Sequence, residues 1–126
     1  MAYEVPVLDI SLIASADLSD EQFYFVKVNS DGEIELAGDG EAAVGVLQNK
    51  PGEATEAEGE AASVRVYGIS KVAAGEAIDP GEEVAADSDG KAKVATTGDR
   101  ILGVALIGGD DEEIISIVLY QGGEAS

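Results

Sequence analysis

The chain has no cysteine, no histidine and no tryptophan, and each absence removes a class of chemistry. Without cysteine there is no disulfide, no thiolate nucleophile and no thiolate-bound metal, and the redox compartment leaves no mark. Without histidine the chain lacks the commonest general base near neutral pH and the commonest zinc ligand. Aromatic residues make up only 5% of the chain, so an aromatic-lined cleft is a poor expectation. Bases are scarce too: seven Lys and Arg stand against 26 Asp and Glu, a formal charge of −19. Such a surface repels phosphate backbones and anionic lipid heads, which argues against nucleic-acid and membrane partners. "MAYEVPVLDISLIASADLSD" has neither a basic leader nor a long apolar run, and reads as neither secretory signal nor membrane span.

What is present is short and alternating. With 126 residues and 45% hydrophobic content the chain suits one folded domain, with a thin core rich in Ala and Val. The segments 23–28, 33–36, 43–48, 63–69, 92–95, 101–107 and 113–121 are β-branched or aromatic, with Gly, Asp, Asn or Pro at their bounds. They read as closely spaced strands. "NSDGE" and "DSDGK" place Asp-Gly between such runs, a hairpin signal resting on the positive φ that Gly tolerates in primed turns. Only 15–23 offers a helical start, with Ser19 and Gln22 at capping-box spacing, and it is long enough for a turn or two.

The phrase "SDGEIELAGDGEAAVGV" (30–46) returns as "SDGKAKVATTGDRILGV" (88–104), without a gap. The expected architecture is therefore all-β: a small β-barrel or sandwich-like domain of short antiparallel strands with an internal two-fold repeat, its halves near 23–72 and 83–121. Residues 1–14 form an extended N-terminal arm, and 15–126 a single β domain. In the arm, Leu8, Ile10 and Leu12 alternate with Val7, Asp9 and Ser11, and Pro6 suits an edge or extended position. Such an arm pairs either with its own sheet edge or with a neighbour's. Residues 52–63, with four Glu and no base, read as a solvated loop.

None of the candidate chemical motifs matches its template. Placing Gly90 at position 6 of a calcium loop puts Ala85 at position 1 and Thr96 at position 12, and Gly32 puts Lys27 at position 1. "GGDDEE" (108–113) reads as a hydrated loop rather than a cation site. Ser70 and Lys71 are neighbours on a strand and point to opposite faces, so they make a poor nucleophile–base pair. "GDGEAAVG" lacks the Gly-Lys-Ser/Thr and the helix of a phosphate loop. Lys91, at a hairpin tip, lacks the flanking residues of a carrier-domain lysine, and Glu33 stands at its counterpart.

From about residue 17 to 120, "DLSDEQFYFVKVNSDGEIELAGDG", "GVLQNKPGEA", "VRVYGISKVAAGEAIDPGEEV" and "DSDGKAKVATTGDRILGVALI" resemble, in order and spacing, the capsid decoration (cement) proteins of tailed viruses. The resemblance implies a β-barrel-like fold with no enzymatic activity and no cofactor or metal. It implies a homo-oligomer, commonly a trimer, seated on the outer surface of an icosahedral capsid. There the subunits bind and stabilise the major capsid protein, as virion components made in the host cytoplasm. An arm that pairs with capsid strands fits Tyr3, Val5, Pro6, Val7, Leu8, Ile10 and Leu12, the candidate capsid-binding residues. The extreme acidity is consistent with a virus of a halophilic archaeon. The alternative is a small β-barrel binding module for a host-surface glycan or receptor, which needs an exposed aromatic cluster. On the strand reading Tyr3, Phe23, Tyr24, Phe25, Tyr67 and Tyr120 are largely taken up by strands.

The net charge generates a direct expectation. Mutual repulsion at −19 weakens the compact state in dilute buffer, and molar salt shortens the Debye length to about 3 Å and screens it. The melting temperature should climb steeply between dilute and molar NaCl; a flat profile would show that repulsion does not limit stability.

Overall fold

The computed structural model describes residues 2–52 and 60–126, so most of the acidic stretch read as a solvated loop lies outside the described residues. Among the described residues nine strands follow one another: β1 (Val5–Ile13), β2 (Phe25–Val28), β3 (Ile34–Leu36), β4 (Gly45–Leu47), β5 (Ala61–Ala73), β6 (Glu83–Ala86), β7 (Ala92–Val94), β8 (Gly103–Ile107) and β9 (Ile114–Leu119). The described residues contain no helix, and residues 15–24 are turns. The capping box does not form. Ser19 uses its backbone N–H and its hydroxyl on the Asp17 carboxylate, and Gln22 donates instead to the Gln48 carbonyl.

One antiparallel sheet runs β3-β2-β4-β5-β9-β8-β6-β7, with β1 also on β5. The 13-residue β5 is its spine. Arg65 pairs with Asp9 of β1 and with Val46 of β4, and Gly68 pairs with Pro6 of β1 and Leu119 of β9. β1 therefore lies along one edge of β5, and β4 and then β9 along the other. The sheet curls into a half-barrel, and its outer strands β3 and β7 return to the ends of β1 and β5 through the parallel bridges Ala14–Ile34 and Ala74–Ala92.

The curl encloses two apolar clusters. One holds Ala14, Leu18, Val26, Ile34, Leu47, Ala62 and Val64, with Ile10, Leu12 and Val66 packed on it. The larger one includes Phe25, Val46, Val72, Ile78, Val84, Leu102, Ile115 and Ile117. Side chains alternate across a strand. Neighbours on β2 therefore divide between the clusters, Phe25 to one and Val26 to the other, as do Val46 and Leu47 on β4. Strands buried on both faces read as unbroken apolar runs, which is why "GVL" shows no alternation.

The pairings of β2 with β3 (Val26↔Leu36, Lys27↔Glu35, Val28↔Ile34) reappear 58 positions on in β6 with β7 (Val84↔Val94, Ala85↔Lys93, Ala86↔Ala92). β6, "EVAA", is the strand absent from the pattern reading, because Ala is a weak strand former. The hairpin turns also differ from expectation. A type I′ turn needs positive φ at both central residues and a type II′ turn at the first, whereas in each Asp-Gly pair only the second residue has it, Gly32 at 78° and Gly90 at 87°. The side chains of Asn29 and Asp87 decide the form. Asn29 Oδ1 accepts N–H bonds from Asp31 and Glu33 at 2.9 and 3.0 Å, and Asp87 Oδ1 from Asp89 and Lys91 at 2.8 and 2.9 Å. These Asx turns leave a single left-handed glycine to close each loop.

Gly68, at φ 109°, sits where β5 changes partners, and a Cβ there would collide with the Val5 carbonyl oxygen and come within 2.8 Å of Val7 N. Gly68→Ala should cost at least about 2 kcal/mol through combined strain and clash. Denaturant titration should place its midpoint clearly below wild type; an unchanged midpoint would mean that β1 does not press on β5 there.

Candidate functional site

β1 holds to β5 by polar contacts on one face and apolar ones on the other. Ile10 and Leu12 pair with Val64 and Ala62 and turn inward onto the smaller cluster. Asp9, one residue out of phase, faces Arg65 on the opposite side of the sheet. Arg65 is buried, and its Nε and Nη2 donate to the two Asp9 carboxylate oxygens at 2.9 and 3.1 Å. Its Nη1 donates to Glu4 at 2.9 Å. The Asp9 hydrogen bonds raise the Arg65 pKa above its ordinary value; burial opposes the shift and Glu4 adds to it. The fork geometry of guanidinium suits this two-carboxylate grip. Farther out, Tyr3 N–H donates to Ser116 Oγ at 2.6 Å, and that hydroxyl donates back to the Tyr3 carbonyl at 2.8 Å.

The first half of β1 buries little. Register shifts flank Leu8, between Pro6 and Leu8 and between Leu8 and Asp9. Tyr3, Val5 and Leu8 are exposed, and Val7 is 72% exposed. Tyr67 lies directly opposite Leu8 on β5 and is 55% exposed. These side chains make an apolar patch on a chain of charge −19. Among the described residues β1 pairs along its length with β5 alone, leaving its outer edge open. A long edge strand with exposed apolar side chains is a template for pairing with another chain, and proteins keep such edges covered unless they are used.

Of the seven residues singled out from sequence, the structure brings Tyr3, Val5, Pro6, Val7 and Leu8 to the surface and turns Ile10 and Leu12 toward the core. Val5–Ile13 is extended and pairs with the protein's own sheet, one of the two arrangements that the sequence left open. Tyr67 was missed as a site residue. Its parity was the available signal: in "SVRVYGI" it alternates with Val64 and Val66 and shares a face with Arg65. Tyr3 and Tyr120, which the strand reading also took up, are exposed as well.

The remaining chemical candidates serve the scaffold. Ser70 is buried; its hydroxyl accepts from Gln48 Nε2 and donates to the Lys71 carbonyl. In the 108–113 loop Glu113 accepts the Asp110 N–H at 2.7 Å, so one of the four acids braces the turn. Among the described residues no three carboxylates converge as metal ligands.

A family model described as phage cement protein matches residues 4–114. The chain belongs to the phage cement protein family. That family consists of structural phage proteins. No curated protein sequence matches the chain. Among solved structures, the N base of the head fiber gp8.5 of bacteriophage phi29 has a similar fold, with a TM-score of 0.69 and 18% identity over 94% of this chain and 99% of that one. In this cement-family protein, then, the built feature is a surface rather than a cleft: an edge strand clamped by one buried arginine.

Arg65→Met keeps the stem and removes the fork. With both carboxylate partners partly exposed, the loss should be about 2 kcal/mol, below the range for a fully buried pair. Hydrogen exchange at Val5–Leu8 should accelerate far more than exchange at β9; uniform acceleration would show that Arg65 stabilises the whole sheet rather than β1.

Proposed function

We propose that the protein binds the outer surface of an icosahedral phage capsid and stabilises it, through the apolar patch on β1 and β5. Tyr3, Val5, Pro6, Val7 and Leu8 contact the major capsid protein, with Tyr67 beside them. Ile10 and Leu12 contribute indirectly, by fixing β1 on the smaller cluster. The observation that carries this reading is the open edge of a nine-residue strand with exposed apolar side chains on a strongly acidic chain. Membership of the phage cement protein family supports it.

A cement protein needs rigidity and many modest contacts rather than an active site. Extended edges add backbone hydrogen bonds to whatever strand they meet, and side-chain pockets tune specificity. Copies that associate with one another, as a homotrimer in this reading, multiply weak single contacts into firm retention. The acidic remainder of the surface keeps particles apart and repels stray nucleic acid.

Deleting the arm is a poor test, because it uncovers the cluster beneath Ile10 and Leu12. Val7→Asp touches only the patch. It should melt with wild type and lose at least about tenfold in affinity for empty capsids, as a central interface position does. Co-sedimentation at fixed salt measures this, and decoration equal to wild type would overturn the assignment of the surface.

A further inference from the structure

Phe23 is one of two non-glycine residues with positive φ among the described residues, at 71°. Its N–H donates to the Leu47 carbonyl at 2.7 Å. Gly81, 58 positions on, makes the matching bond to Ala105 at 2.8 Å with φ 89°. The backbone needs a left-handed residue at both places. Glycine meets the need freely, and a bulky aromatic meets it under strain. Strain of this kind persists where the side chain is useful.

The Phe23 ring packs in part against the larger cluster and otherwise lines a surface hollow with Ser19, Asp20, Gln22, Lys50 and Ile114. Ile114 is 40% exposed, so the hollow is apolar on two sides. Its lining carries one base and one acid, Lys50 and Asp20, and further lysines lie close by. Lys71 Nζ lies 6.0 Å from the Phe23 ring centroid, and Lys91 Nζ 5.8 Å from that of neighbouring Tyr24. Three of the seven bases thus gather around Phe23 and Tyr24. The other ion-paired bases, Lys27, Arg65 and Lys93, are each held by two carboxylates. Among the described residues no carboxylate stands within 4.0 Å of Lys71, whereas Lys91 has Glu112 at 4.0 Å and feels the charges of Asp87 and Asp111 as well.

We infer that the Phe23 hollow is a second contact surface, which receives an acidic segment of the capsid protein and seats one of its apolar side chains between Phe23 and Ile114. This rests on the capsid-binding reading above. An apolar floor with the Lys50 and Lys71 ammonium groups at its rim matches a carboxylate-bearing strand or loop, and cation–π contact with the Phe23 ring holds Lys71 in place for it.

Phe23→Gly and Lys71→Gln, compared with wild type and Val7→Asp in the empty-capsid assay across a salt series, test the inference. Phe23→Gly removes the ring while relieving the backbone, and should melt within a few degrees of wild type yet decorate about tenfold more weakly. Lys71→Gln leaves the ring and fold in place, and should weaken decoration about threefold at low salt with a shallower salt dependence. Decoration by both variants at wild-type strength overturns the inference. So does a Phe23→Gly defect that merely tracks its unfolded fraction while Lys71→Gln binds normally. Wild-type decoration by Val7→Asp, with defects in these two, instead counts against the β1 patch and leaves the hollow standing.

Discussion

The structure depends on the double-sided pairing of β5. A central strand must satisfy its backbone on both edges, and β5 does so with three partners: β1 along one edge, β4 and then β9 along the other. That arrangement forces the exchange of partners near Gly68 and separates the apolar side chains into two clusters. It also leaves β1, among the described residues, with no strand beyond it. The surface read as functional is a consequence of this pairing rather than an addition to it.

Charge determines how that surface is held. Most surface acids in this chain have no base to meet, since there are 26 against seven. One of the few bases, Arg65, is nonetheless buried between β1 and β5 and given two carboxylates. Exposed ion pairs contribute little, and a partly buried bidentate one contributes geometry as well as energy. Where Val5, Val7 and Leu8 bury too little area to hold their own segment, the arginine grip and the Tyr3–Ser116 bonds supply the register. The apolar side chains are thereby left free to face outward.

Much of the scaffold is legible in the chain. Of the nine strands among the described residues, seven appear as alternating or β-branched runs and β1 as an alternating extended arm, because a half-buried pleated surface imposes a period of two. Asp-Gly marks both hairpins, although the flanking Asn29 and Asp87 decide the turn. β6 escapes because Ala-Ala carries no strand preference of its own, and tertiary burial alone makes it a strand. The site is only half legible. Extended apolar character from Tyr3 to Leu12 is plain in sequence, but the division at Asp9 is not, since two register shifts around Leu8 change which side chains face out. Tyr67 was visible by parity, yet nothing local says that its face is uncovered.

By itself the sequence determined the class of protein. Twenty-six acids against seven bases and closely spaced alternating runs mark an acidic β domain, and ordered short motifs over most of the chain resemble the cement family. Those properties are compositional or local, and they survive in a one-dimensional reading. Only the tertiary structure decided that β1 lies on β5, that Ile10 and Leu12 serve the core while Val5, Val7 and Leu8 meet solvent, and that Arg65 holds them there. Each of these depends on which strand lies beside which across some sixty positions of sequence. Pairing at that distance is settled by burial and backbone hydrogen bonding together, not by local pattern.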